Sequence, residues 1–161
     1  MTPQAIPPTR GRPSLLVLAA FLVVVIAVGT AIGLLNTPGA WFAGLAKPSF
    51  EPPNWLFAPV WLILYVLIAI AGWRSFNLEP RGREAALWLL QMLLNWLWSP
   101  VFFSLHALWL AFGIIGLLLL VILCFIGVAW PRDRTAALLF VPYALWVAFA
   151  TLLNLSLAWS N

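Results

Sequence analysis

The sequence predicts an all-α integral membrane bundle of five transmembrane helices, and three observations lead there. Hydrophobic residues make up 65% of the 161 positions and charged residues only 7%, too little polar surface for a water-soluble domain. The apolar residues gather into five runs, each near the roughly 20 residues that a helix needs to cross a hydrocarbon core of about 30 Å. No Asp, Glu, Lys or Arg interrupts the middle of any run. Continuous runs of this kind are unlike the short alternating segments of an outer-membrane barrel, and backbone groups in lipid must pair within their own segment.

Residues 1–13 are Pro-rich and predict a disordered cytoplasmic tail, and residues 14–161 one membrane domain. The first span covers 15–35. Its Gly29-Thr30-Ala31 has the small residues of a signal-peptidase site, but the apolar run continues through Leu35 without a polar break, which suits a retained helix. Gly29 and Gly33 form a GxxxG pair that permits close helix approach, within the bundle or across a dimer. The remaining spans are expected at 55–76, 84–105, 107–130 and 135–159, each bounded by Pro, Gly, Asn or charge. Cys124, the lone cysteine, lies inside span four and is expected to pack as a small apolar side chain.

Charge placement predicts topology. Arg10 and Arg12, then Arg74, Arg81 and Arg83, then Arg132 and Arg134 fall on one side of the membrane, and Lys47 stands alone on the other. The positive-inside rule puts the N-terminus in the cytoplasm and the C-terminus outside, as in a bacterial inner membrane. Basic residues dispersed among short loops give no nucleic-acid surface.

Only the first connection, 36–54, is long. Pro38, Pro48, Pro52 and Pro53 stiffen it, and Trp41, Phe42 and Phe50 make it aromatic. Composition fits either an interfacial aromatic belt or a lid folded onto the bundle. Of the 11 tryptophans, Trp88, Trp109, Trp130 and Trp159 lie near predicted helix ends and read as interfacial anchors, whereas Trp61, Trp98 and Trp146 lie deeper.

The lack of mid-span charge argues against a pump, an ion channel or an ion-coupled carrier. No metal-ligand cluster, phosphate-binding glycine loop or nucleophile with an obvious base is present. The polar residues that enter the bilayer are mainly amides and hydroxyls. Gln91, Asn95, Trp98 and Phe102 share one face of span three. Tyr143, Trp146, Ala150, Leu153 and Asn154 share one face of span five, and Phe57, Trp61, Tyr65 and Ile68 one face of span two. These faces suit either hydrogen bonding between helices or a cavity lined by rings and a few amides. Depth favours a pocket in the half nearer the first loop, shaped for a flat, mostly apolar ligand.

At these residues the sequence resembles the TspO/MBR family of tryptophan-rich sensory proteins and translocator proteins. The resemblance rests on Trp41-Phe42, Leu45, Lys47-Pro48, Pro52-Pro53, Trp55, Phe57, Pro59, Trp61 and Leu64-Tyr65. It continues through Gln91, Asn95, Trp98-Ser99-Pro100 and Phe102-Phe103, then Pro142-Tyr143, Trp146, Phe149-Ala150 and Leu153-Asn154. It implies a five-helix bundle, often a homodimer, that binds porphyrins, haem-like tetrapyrroles and some synthetic aromatic ligands beneath the first loop, with no obligatory cofactor. The ligand-lining residues it implies are Trp41, Pro52, Trp61, Asn95, Trp98, Phe102, Trp146, Ala150, Leu153 and Asn154. It implies sensing, sequestration or transport of the ligand, with regulation of pigment genes in some bacteria. Light-dependent oxidative breakdown of bound porphyrin is the enzymatic alternative, and an accessory subunit of a pigment-bearing membrane complex is a third reading.

Two positions depart from the family pattern. Phe42 stands where Tyr is usual and Phe50 where Trp is usual, so the first loop lacks a hydroxyl and an indole. The end of span five, Leu155 to Asn161, lacks the Tyr and basic residue of the sterol-associated motif. His106 reads as a loop histidine rather than a haem ligand, and Lys47 as an interfacial lysine that could also meet a propionate.

Overall fold

The structure is a computed structural model that describes residues 14–161; the expected N-terminal tail lies outside the described residues. Five helices are long and apolar enough to cross a membrane, at the places the hydropathy pattern indicates. Helix α1 spans Leu15–Leu35, α2 is a single turn at Ala40–Ala43 in the first loop, and α3 spans Phe57–Leu78. Helix α4 spans Arg83–Ser99, α5 Leu108–Ala129 and α6 Arg134–Ser160.

The helix limits follow from local chemistry. A short 3₁₀ turn at Asn54–Leu56, just after Pro52-Pro53, leads into α3. Pro59 then falls in the first turn of α3, where a missing N–H costs nothing because it would have no intrahelical acceptor. Pro100 cannot extend the α4 ladder normally, and the chain continues as one π turn at Pro100–Ser104, closed by Leu105 N–H on the Pro100 carbonyl at 3.0 Å. His106 then adopts φ 54°. That left-handed conformation is uncommon outside glycine and reverses the chain into α5. Asp133 caps α6 by accepting from Ala136 N–H at 3.1 Å.

The five long helices close a ring in the order α1, α3, α6, α5, α4, with α4 returning to α3 and α1. Outward side chains such as Leu62, Leu93, Leu120 and Leu145 are exposed, as lipid-facing residues are. Lipid is as apolar as leucine, so burial alone does not drive helices together there; close packing and interhelical hydrogen bonds must. Both occur here. Phe125 and Phe140 stack between α5 and α6 with ring centres 3.9 Å apart.

Close approach depends on two glycines. A Cβ built on Gly29 would lie 2.3 Å from the Tyr65 ring, and one on Gly72 would lie 2.3 Å from the Trp88 ring. A Cβ on Gly33 meets nothing within 4 Å. The GxxxG pair therefore divides: Gly29 packs inside the bundle, and Gly33 faces away from it.

Two expectations are corrected. Trp88 is not an interfacial anchor: it is buried in the core, and its Nε1–H donates to the Ile68 carbonyl at 2.8 Å. Its position one turn inside α4 gave its depth but not its face. Cys124 is exposed on the outer surface of α5 rather than packed inside.

The arginine-rich end of the bundle is tied by ion pairs. Arg74 forms a two-pronged bond to Asp133, both contacts 2.8 Å. Arg132 reaches Glu79 at 2.8 Å and both oxygens of the buried Glu84 at 3.0 Å. Partial burial pushes the Asp133 carboxyl upward, but the Arg74 hydrogen bonds and the Ala136 N–H outweigh it and hold the group below its ordinary value.

Candidate ligand site beneath the first loop

Helix α2 turns the first loop down onto the bundle. Phe42 is buried against Phe102 and Phe103, with ring centres 6.0 and 5.5 Å away. Trp41 meets Phe102 edge-on at 6.0 Å and stacks on His106 at 4.0 Å, the two planes 18° apart. Farther along, Phe50 meets Phe149 at 6.3 Å. Trp55 is exposed.

Polar contacts fasten the start and the middle of the loop. Asn36 donates to the Ile32 carbonyl at 2.8 Å and accepts from the Ser104 hydroxyl. Ala46 donates its N–H to Asn161 Oδ1 at 2.8 Å, and Asn161 Nδ2 donates to the Ala46 carbonyl at 3.1 Å. Lys47 lies 4.0 Å over the Phe42 ring and pairs with Glu51 at 3.0 Å.

Beneath the loop, Trp98, Phe102 and Phe103 form a ring cluster, with Trp98 and Phe102 5.1 Å apart and Phe102 and Phe103 4.7 Å apart. Leu153 and Leu157 of α6 and Ala111 of α5 complete it. The Trp98 indole donates to Asn154 Oδ1 at 3.0 Å, and Asn154 Nδ2 donates to the Leu108 carbonyl at 3.0 Å, so one amide ties α4, α5 and α6 together.

Deeper in the bundle, Asn95 Nδ2 donates to the Tyr143 hydroxyl at 2.9 Å, and that hydroxyl donates to Gln91 Oε1 at 3.1 Å. Trp61 lies beside Tyr65 and Tyr143, with ring centres 5.4 and 6.2 Å away. Trp146 lies between Phe57 at 5.6 Å and Phe149 at 5.7 Å.

The three faces expected from helical spacing thus meet, and the loop covers one end. Trp41, Trp98, Phe102 and Leu153 belong to the ring cluster under the loop, whereas Trp61, Asn95, Trp146 and Ala150 lie against or within the main core. Asn154 is buried beside that cluster, bonded to Trp98 and to the Leu108 carbonyl, and Pro52 is half-buried in the loop. The amides of Asn95 and Asn154 are engaged between helices, as the hydrogen-bonding alternative requires. Among the described residues, the buried donors left without a partner are instead Gln91 Nε2, Trp96 Nε1 and Trp146 Nε1. Beside Trp146, α3 and α6 part to leave a groove of about 400 Å³, lined by Val60, Ile63, Leu64, Pro142, Leu145, Trp146 and Phe149. It is wholly apolar apart from that indole, and of the ten expected ligand residues it contains only Trp146.

Sequence reading missed the contacts that fasten the loop. His106 stacks on Trp41, and the signal available was its place at a sharp reversal between two helices, where His tolerates positive φ better than most residues. Nothing in the sequence pointed from Asn161 to Ala46, 115 positions away.

Fold and site together define a multi-pass helical membrane protein whose ring-rich interior is covered by its first loop. A model of the TspO/MBR family matches residues 20–160, and the chain belongs to that family. It is 41% identical to Protein CrtK of Rhodobacter capsulatus over 147 residues, covering 88% of this chain and 91% of that protein. It is 35% identical to the Tryptophan-rich sensory protein of Cereibacter sphaeroides, covering 84% and 87%. It is 36% identical to the human Translocator protein, covering 71% and 70%.

Proposed function

We propose that this chain is a membrane receptor for porphyrins and related tetrapyrroles, held beneath the first loop and sensed, sequestered or moved there. The observation that carries this reading is the Trp146 indole: its N–H is buried without an acceptor, at an apolar groove next to the loop-covered rings. A buried donor without a partner costs about 1–3 kcal/mol. A ligand presenting a hydrogen-bond acceptor among flat apolar rings would recover that cost. Trp61 and Phe149 offer faces and edges for stacking, worth about 0.5–1.5 kcal/mol per ring pair beyond area burial. The names of the bacterial and animal relatives, sensory protein and translocator protein, agree with a binding role. The arginine bias supports an orientation with the N-terminal end of α1 in the cytoplasm and the ligand site in the opposite half of the membrane.

The test is titration of the purified full chain in neutral detergent with protoporphyrin IX, followed by the shift of the porphyrin's main absorption band. Saturable binding with fixed stoichiometry is expected. Trp146→Ala or Trp61→Ala should weaken it roughly tenfold, as loss of one stacking partner implies. Trp159→Phe, on the exposed end of α6, should leave it unchanged. Linear uptake that none of the three substitutions alters would mean partition into the micelle and would end the proposal.

A further inference from the structure

A second groove, of about 540 Å³, lies at the arginine-rich end, away from the first loop. Its lining includes Arg81, Arg83 and Arg132, with Glu79, Val128 and Pro131. The chain has four acidic residues in all, and every one is committed. Glu51 pairs with Lys47 at the other end, Asp133 with Arg74, and both Glu79 and Glu84 with Arg132. Arg81 and Arg83, both exposed, therefore face the groove with no carboxylate in the chain left to neutralise them. The one acidic residue lining the groove, Glu79, is already held by Arg132 at 2.8 Å.

Depth identifies the surroundings. The groove joins the α3–α4 connection to the end of α5, where the spans leave the hydrocarbon. Trp130, adjacent to Pro131, is an exposed indole of the kind that sits at headgroup level. Val128 lies one turn deeper than Arg132 and supplies an apolar floor. Guanidinium groups above an apolar floor at this depth match a phosphate diester with acyl chains below it, and basic pockets between transmembrane helices take such headgroups.

We propose that this groove binds the headgroup phosphate of an anionic phospholipid, with Arg81 and Arg83 as its charge donors. The site is separate from the ring cluster under the first loop and does not depend on what that cluster binds. Both arginines are exposed and form no ion pair among the described residues, so replacing them should leave the fold intact.

The full chain, purified in neutral detergent, would be given phosphatidylglycerol, phosphatidylcholine or inorganic phosphate, and bound lipid counted by native mass spectrometry alongside thermal unfolding. One phosphatidylglycerol per chain is expected to be retained several-fold more strongly than phosphatidylcholine. Combining Arg81→Gln with Arg83→Gln should lower its affinity roughly thirtyfold, about fivefold per charge near a membrane surface. Combining Arg81→Lys with Arg83→Lys should recover part of the loss. Equal retention of the two lipids, or undiminished retention by the glutamine variant with unchanged unfolding, would overturn the proposal. Displacement of phosphatidylglycerol by millimolar inorganic phosphate would assign the groove to a soluble anion and overturn the lipid assignment.

Discussion

Asn161 grips Ala46 from both sides of its peptide group, accepting from its N–H at 2.8 Å and donating to its carbonyl at 3.1 Å. The end of α6 thereby holds the middle of the first loop. The contact is exposed, so its two hydrogen bonds together stabilise the closed loop by about 1 kcal/mol. Asn161→Ala should raise the open population roughly fivefold. Faster amide hydrogen exchange over residues 44–50, with no change in the centre of α6, is the expected result.

Tyr143 has the opposite character, since its hydroxyl serves two buried amides at once. Tyr143→Phe would strand Asn95 Nδ2 and Gln91 Oε1 beside a Gln91 Nε2 that already lacks a partner. The loss should be about 1–3 kcal/mol, read as a lower unfolding temperature in detergent. An unchanged midpoint would mean that the two amides find each other directly.

The two glycines of α1 should respond in opposite ways. Gly29→Ala drives a methyl into the Tyr65 ring and should destabilise the α1–α3 packing by about 1–3 kcal/mol. Gly33→Ala meets open space and should be neutral or slightly stabilising, because alanine favours helix over glycine. Thermal unfolding of both variants in the same detergent distinguishes them.

The Arg74–Asp133 pair predicts a pH dependence. The Asp133 carboxyl is held below its ordinary value of 3.8, so the folded chain binds that proton less readily than the unfolded chain. Its stabilisation is fully present above 3.8, declines as pH falls from there, and is gone below the folded value. Unfolding temperature should therefore not change through this pair between neutral pH and about pH 5 and should drop in stronger acid. Asp133→Asn should remove that acid-side contribution along with the α6 cap.

The spans were legible because lipid imposes a length, and because Pro, Gly and charge mark each break. Counting the π turn at Pro100–Ser104 with α4, their limits shifted by only a residue or two, as at α3, which runs to Leu78 rather than 76. What hydropathy could not supply was the direction each side chain faces. Trp88 and Trp130 look alike near the ends of their runs, yet one donates to Ile68 deep in the core and the other is exposed. The candidate site was half legible for the same reason. Helical spacing brought Asn95, Trp98, Phe102 and Asn154 to one region, but their partners lie on other helices. Only tertiary structure shows Asn154 shared between Trp98 and Leu108. The π turn after Ser99, which sets where Phe102 and Phe103 point, left no mark beyond Pro100 itself.

The double grip of Arg132 on Glu79 and Glu84, next to Asp133 holding Arg74, joins the adjoining ends of α3, α4, α5 and α6 into one stiff base. Toward the first loop the helices are joined by stacked rings and a few amides, whose parting leaves no buried charge unpaired, as parting Arg132 from the buried Glu84 would. Any breathing of the bundle should therefore be a splaying of its loop-side tips about a fixed foot, and the widest change in spacing would fall where Trp146 and Phe149 meet Phe50 and Phe57.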